Sequence, residues 1–67
     1  MEDVRKQVGN NIRKVREDKK ISQEDLALRS DVHRTYISQV ERGETNITIL
    51  TLQRIAIALG IDIKDLL

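Results

Sequence analysis

The stretch QEDLALRSDVHRTYISQVERG, from Gln23 to Gly43, constrains the fold more than any other part of the chain, because it specifies two short helices and the corner between them. Ser22 precedes an acidic first turn, Glu24 and Asp25. The Ser22 to Asp25 spacing is that of a capping box, in which a hydroxyl and a carboxylate satisfy N–H groups left orphaned at a helix start. A helix therefore begins near Gln23. Leu26 and Ala27 supply its buried side, and Ala27 is small where a second helix must cross closely. The pattern breaks at Arg29-Ser30-Asp31, and aspartate is among the few non-glycine residues that tolerate a left-handed corner. A new helical period opens at Val32 and ends at Gly43, which is able to take positive φ.

The two sides of that second helix differ in kind. Val32, Ile37 and Val40 mark the apolar side and Tyr36 joins their stripe, while Arg34, Thr35, Ser38, Gln39 and Arg42 fan across the other. A merely solvated face usually carries glutamate and lysine, which are good helix formers. Arginine, threonine, serine and glutamine suit hydrogen bonding to base edges in a DNA major groove. Glu41 falls toward the core side, so its charge needs a partner.

Sixty-seven residues make one domain, 1–67, without cysteine or proline. A chain of this size buries only about 60% of its unfolded surface. Its apolar residues are isoleucine, leucine, valine and alanine, with Met1 and the single aromatic Tyr36, so the core must come from helix packing and the fold class is all-α. No zinc-type cluster and no paired acid, base or nucleophile is arranged along the chain, so neither an enzyme nor a metal or cofactor is expected. No apolar run approaches the roughly 20 residues of a membrane span, and none resembles a signal peptide. A cytoplasmic protein without a membrane partner is the expectation. The net charge of +1 says little, but residues 1–20 carry seven basic and four acidic groups, residues 21–45 three and five, and the rest cancel. The basic excess sits in the first helix.

Val4, Val8, Ile12 and Val15 place that helix over about Asp3 to Asp18. Gly9 within it costs about 1 kcal/mol relative to alanine and reads as a site of close packing. Ile21 packs as a staple before the second helix. Thr48 caps a fourth helix, Ile49 to Leu59, whose inward stripe is Ile49, Leu52, Ile55, Ala56 and Leu59, with Gly60 as its C-cap. A fifth short helix is expected from Asp62 to Leu67. Leu50 and Ile57 share a second face of the fourth helix, and with Ile61, Ile63, Leu66 and Leu67 they exceed what one small domain readily covers. This excess reads as a dimer interface; the alternative is that Leu66 and Leu67 fold back onto the first helix while Leu50 and Ile57 are scattered surface residues.

The ordered set Gly9, Ile12, Arg13, Arg16, Ser22-Gln23, Leu26-Ala27, Val32, Tyr36-Ile37-Ser38, Glu41-Arg42-Gly43, Asn46, Leu52, Ile55-Ala56 and Leu59-Gly60 resembles the Cro/C1-type (XRE) helix-turn-helix family of DNA-binding regulators. The run HRTYISQVERG is similar in particular to the small controller proteins of restriction-modification systems. The resemblance implies an all-α, five-helix, lambda-repressor-like domain whose third helix enters the major groove of double-stranded DNA. It implies base reading by Arg34, Thr35, Ser38 and Gln39, with Arg34 first for a bidentate contact to guanine. It points to Gln23 as a phosphate contact at the amino end of the second helix. Tyr36, Arg42, Thr45 and Asn46 flank the groove as further phosphate contacts, and His33 either caps the third helix or touches a phosphate. An ion pair between Arg16 and Glu41 is implied, tying the first helix to the third.

A homodimer on a pseudo-palindromic operator follows from the same resemblance, with no small-molecule ligand. The competing expectation is an antitoxin-like interaction module that uses its apolar face to hold another protein. Three positions depart from the family pattern: Asp31 stands where glycine is frequent, Ile47 where proline is common, and Thr45 where related controller proteins carry a basic residue, with acidic Glu44 nearby lowering the local positive field.

Overall fold

The computed structural model describes residues 3–67. Four α-helices follow one another: α1 (Val4–Asp18), α2 (Gln23–Ser30), α3 (Arg34–Glu41) and α4 (Ile49–Leu59). A single 3₁₀ turn, Ile63–Leu66, follows. Five helices were expected and four are found among the described residues. The last segment is too short to build an α-type ladder, and its N–H groups close i to i+3 bonds instead, from Asp65 to the Asp62 carbonyl at 3.0 Å and from Leu67 to Lys64 at 3.2 Å.

Every helix start is capped by a side chain. Asp3 accepts from the Arg5 N–H, Ser22 from Asp25, His33 from Thr35 and Thr48 from Thr51, and Asp62 caps the 3₁₀ turn by accepting from Lys64. Each cap satisfies a donor that the helix itself cannot. The period expected from Val32 begins as helix only at Arg34, because Val32 and His33 form the extended entry.

The four helix ends share one device. Beyond α1 the Ile21 N–H reaches the Arg16 carbonyl, beyond α2 Val32 reaches Ala27, beyond α3 Glu44 reaches Gln39, and beyond α4 Ile61 reaches Ala56. Each is the six-to-one bond of a Schellman turn, which needs one left-handed residue. Gly43 and Gly60 supply it at φ +71°, Asp31 at φ 57° and Lys20 at φ 58°. Asp31 thus makes the α2–α3 corner without glycine.

Helix α1 packs on α3, α2 packs on both α3 and α4, and the 3₁₀ turn closes against α4 and α1. The core is aliphatic: Val8, Ile12, Leu26, Ala27, Ile37, Val40, Leu52, Ile55, Ala56, Leu59 and Leu66. Gly9 lies against the end of α3, where a Cβ would collide with the carbonyl oxygens of Val40 and Glu41. Val4 and Ile49, both placed on inward stripes by their spacing, are exposed. Each is the first residue of its helix, and side chains there project back over the entry, past the end of the core.

Candidate nucleic-acid interface

The inner side of α3 is fixed by packing and by one buried charge pair. Ile37 and Val40 are buried in the core beside Glu41. Arg16 from α1 grips the Glu41 carboxylate at two points, Nε to Oε2 at 2.7 Å and Nη2 to Oε1 at 3.0 Å. The side chains of the pair are only 11% and 3% exposed. Arg16 Nη1 also donates to the Ile21 carbonyl at 2.9 Å, and Gln23 Nε2 donates to Glu41 Oε1 at 3.1 Å. The hydrogen bonds to Glu41 raise the Arg16 pKa further above its ordinary value, against the opposing effect of burial. One carboxylate thereby ties together α1, the entry to α2 and α3.

That network engages Gln23, expected at a phosphate, through its side-chain amide nitrogen. The missed partner is Glu41, and no local spacing relates the two residues across 18 positions of sequence.

The outer side of α3 is open. Arg34 and Thr35 are exposed, and Ser38 and Gln39 are half-buried. Tyr36 is half-buried and packs against the core edge. His33 accepts from the Thr35 N–H through Nδ1 at 3.4 Å, so it caps α3. Asn46 is exposed, and the Thr45 hydroxyl donates to the Asn46 carbonyl at 3.4 Å.

Two acids border this face. Glu24 on α2 approaches Arg34, with Nε to Oε1 at 3.9 Å and both side chains well exposed. Glu44 forks Arg42, accepting from Nε at 2.9 Å and from Nη2 at 3.0 Å. Arg42 Nη1 also donates to the Ser38 hydroxyl. The Arg42 bond lowers the Glu44 carboxyl pKa and the same bond raises that of Arg42. Sequence spacing identified neither acid as a partner of the reading face.

The apolar face divides. Leu50 and Ile57 are 75% and 67% exposed on α4, and Leu67, after the 3₁₀ turn, is exposed as well. Ile61 and Ile63 are partly buried against the core. Leu66, assigned to the dimer face, is instead completely buried. The 3₁₀ turn swings it inward, and α1 holds the turn there: Asn11 Nδ2 donates to the Leu66 carbonyl at 3.1 Å and Gln7 Nε2 to that of Leu67 at 2.8 Å. No helix among the described residues is long and apolar enough to cross a membrane.

The helix-turn-helix family profile matches residues 12–66. The chain is 45% identical over 65 residues to control protein C.BamHI of Bacillus amyloliquefaciens, covering 96% of this chain and 80% of the relative. It is 37% identical to control protein C.MunI of a Mycoplasma species, covering 98% and 90%. The crystal structure of the restriction-modification controller protein C.AhdI from Aeromonas hydrophila superposes with a TM-score of 0.92 at 35% identity, over 94% of this chain and 96% of that one. The exposed polar side of α3, the left-handed corner before it and these likenesses agree: the chain belongs to the Cro/C1-type helix-turn-helix family of DNA-binding transcriptional regulators.

Proposed function

We propose that two copies of the chain associate through the α4 face bearing Leu50 and Ile57, bordered by Ile61, Ile63 and Leu67, and bind a pseudo-palindromic operator in the cytoplasm as a controller of a restriction-modification system. The observation that carries this reading is the open outer side of α3, backed by the rigid Arg16–Glu41 fork. Two recognition helices related by a two-fold axis enter successive major grooves about 34 to 36 Å apart. Arg34, Thr35, Ser38 and Gln39 read base edges. Gln23, His33, Tyr36, Thr45 and Asn46 border them and set register on the phosphates, which carry no sequence information directly, while Arg42, expected among these contacts, has its guanidinium engaged by Glu44 and Ser38. The Gln23 backbone N–H at the start of α2 remains suited to a phosphate even while its side chain serves Glu41.

Selection of bound DNA from a random pool tests the proposal, with inverted repeats as the expected product. Arg34→Ala should then relax preference at one base pair by about 1 to 3 kcal/mol, whereas Asn46→Ala, which removes an exposed phosphate-contacting side chain, should weaken operator and random DNA alike. Equal loss on both kinds of DNA for both variants would overturn the division between reading and positioning. The exposed Leu50 and Ile57 also favour a second reading, an antitoxin-like module holding another protein. Sedimentation separates the two: a dimer of the isolated chain supports the first and a monomer the second.

A further inference from the structure

Arg42 makes the side-chain contact that joins the C-terminal edge of α3 to its reading face. Nη1 donates to the Ser38 hydroxyl one turn back, while Nε and Nη2 hold both oxygens of Glu44 at 2.9 and 3.0 Å. A guanidinium presents its donors in a rigid plane, so fixing two of them on a carboxylate also aims the third. Glu44 therefore decides where the Arg42 donor points. A serine hydroxyl has one proton to give and lone pairs to accept with. Among the described residues the Ser38 hydroxyl accepts from Arg42 and donates to no protein group. Its proton is left for a partner outside the chain.

We infer that Glu44 is a positioning residue for sequence reading: through Arg42 it presets Ser38 as a hydrogen-bond donor toward DNA. The inference rests on the base-reading role of α3 proposed above. A donor in the major groove is matched by guanine O6 or N7, adenine N7 or thymine O4, and is mismatched by the amino group of cytosine. The base facing Ser38 is therefore one that offers an acceptor. The same fork has a second consequence. While Glu44 holds Arg42, that guanidinium is withheld from phosphates, so one cation per chain is kept out of the sequence-independent attraction to DNA. Glu44 favours the right sequence through Ser38 while lowering the sequence-independent attraction to all DNA.

The experiment measures affinities of the full chain for its selected operator, for random DNA, and for operators carrying each base at the position whose preference Ser38→Ala removes, all across a salt series. The wild-type chain is expected to disfavour cytosine there by roughly tenfold. Glu44→Gln keeps the size of the side chain and removes the charge. It should shrink that preference to about twofold and steepen the logarithmic salt dependence by about 0.9 per chain, as Arg42 becomes free to neutralise a phosphate. Preference at the base pair read by Arg34 should not move. In the Ser38→Ala background, Glu44→Gln should change nothing at the Ser38 base pair, because the group it acts through is gone. A Glu44→Gln chain that keeps both the cytosine discrimination and the wild-type salt slope overturns the inference while leaving the regulator reading intact. A wild-type chain that binds selected and random DNA equally overturns both.

Discussion

Arg16–Glu41 and Arg42–Glu44 are the same two chemical groups joined by the same two-point fork, and their carboxylates lie only three residues apart in the sequence. Their surroundings are opposite. The first pair is 11% and 3% exposed and shares its carboxylate with Gln23; the second is 55% and 54% exposed at the solvent edge of α3. A buried pair fixes structure because loss of either partner strands a charge out of water. An exposed pair contributes little to stability, is screened by salt and can exchange its partner. The inner fork therefore sets where α3 lies, and the outer fork sets where one guanidinium points. A helix that must be rigid toward the protein and adaptable toward DNA needs one of each.

The sharpest way to break this contrast is to cut the inner fork. Arg16→Met should destabilise the chain by about 3 to 5 kcal/mol, since Glu41 keeps only the Gln23 amide, and urea unfolding reads the loss directly. Replacing both partners, Arg16→Met with Glu41→Leu, should recover much of it, because no charge is then stranded. A loss below about 1 kcal/mol for the single change would mean that the inner fork behaves like a surface pair. Gly9→Ala comes next in size. Alanine favours helix by about 1 kcal/mol, but here its Cβ meets the carbonyls of Val40 and Glu41, which are backbone and cannot swing aside. A net loss of about 1 to 3 kcal/mol is expected. A more stable alanine variant would show that α1 does not hold the inner side of α3 at close range.

Local chemistry made much of this fold legible. Ser22 and Thr48 mark the starts of α2 and α4, Gly60 marks an end, and Asp31 takes the left-handed conformation at the corner, because caps and turns are decided by a few adjacent residues. The apolar period of the third helix opens two residues before the helix itself, since Val32 is apolar and packs on the core without being helical. Lys20 ends α1 left-handed with nothing in its side chain to announce it. The burial of Leu66 is illegible in the sequence for a different reason. Its burial depends on Asn11 and Gln7, more than fifty residues away in sequence, holding the 3₁₀ turn against α1. The candidate interface divides in the same way. The polar makeup of the outer side of α3 is written in its period, whereas the attachment of Gln23 to Glu41 depends on how two helices meet.

The smallest expected effect lies in the outer fork, where the contrast can be refined without unfolding the chain. The Glu44 carboxyl is held below its ordinary range chiefly by the hydrogen bond from Arg42. A depressed carboxyl contributes its interaction above its unfolded value and loses it as pH falls through the folded one. The fork is therefore intact at neutral pH and opens only in the acidic range below the ordinary glutamate value. Because both side chains lie in water, the Arg42 Nε resonance should shift across that range without a matching step in the unfolding midpoint. Salt gives the direct test at neutral pH. At about 1 M ionic strength, where the Debye length is about 3 Å, the Arg42 resonance should move toward that of a free guanidinium while the Arg16 resonance stays in place. If both resonances shift together, the two forks share one environment and the division of α3 into a fixed side and an exchangeable side is lost.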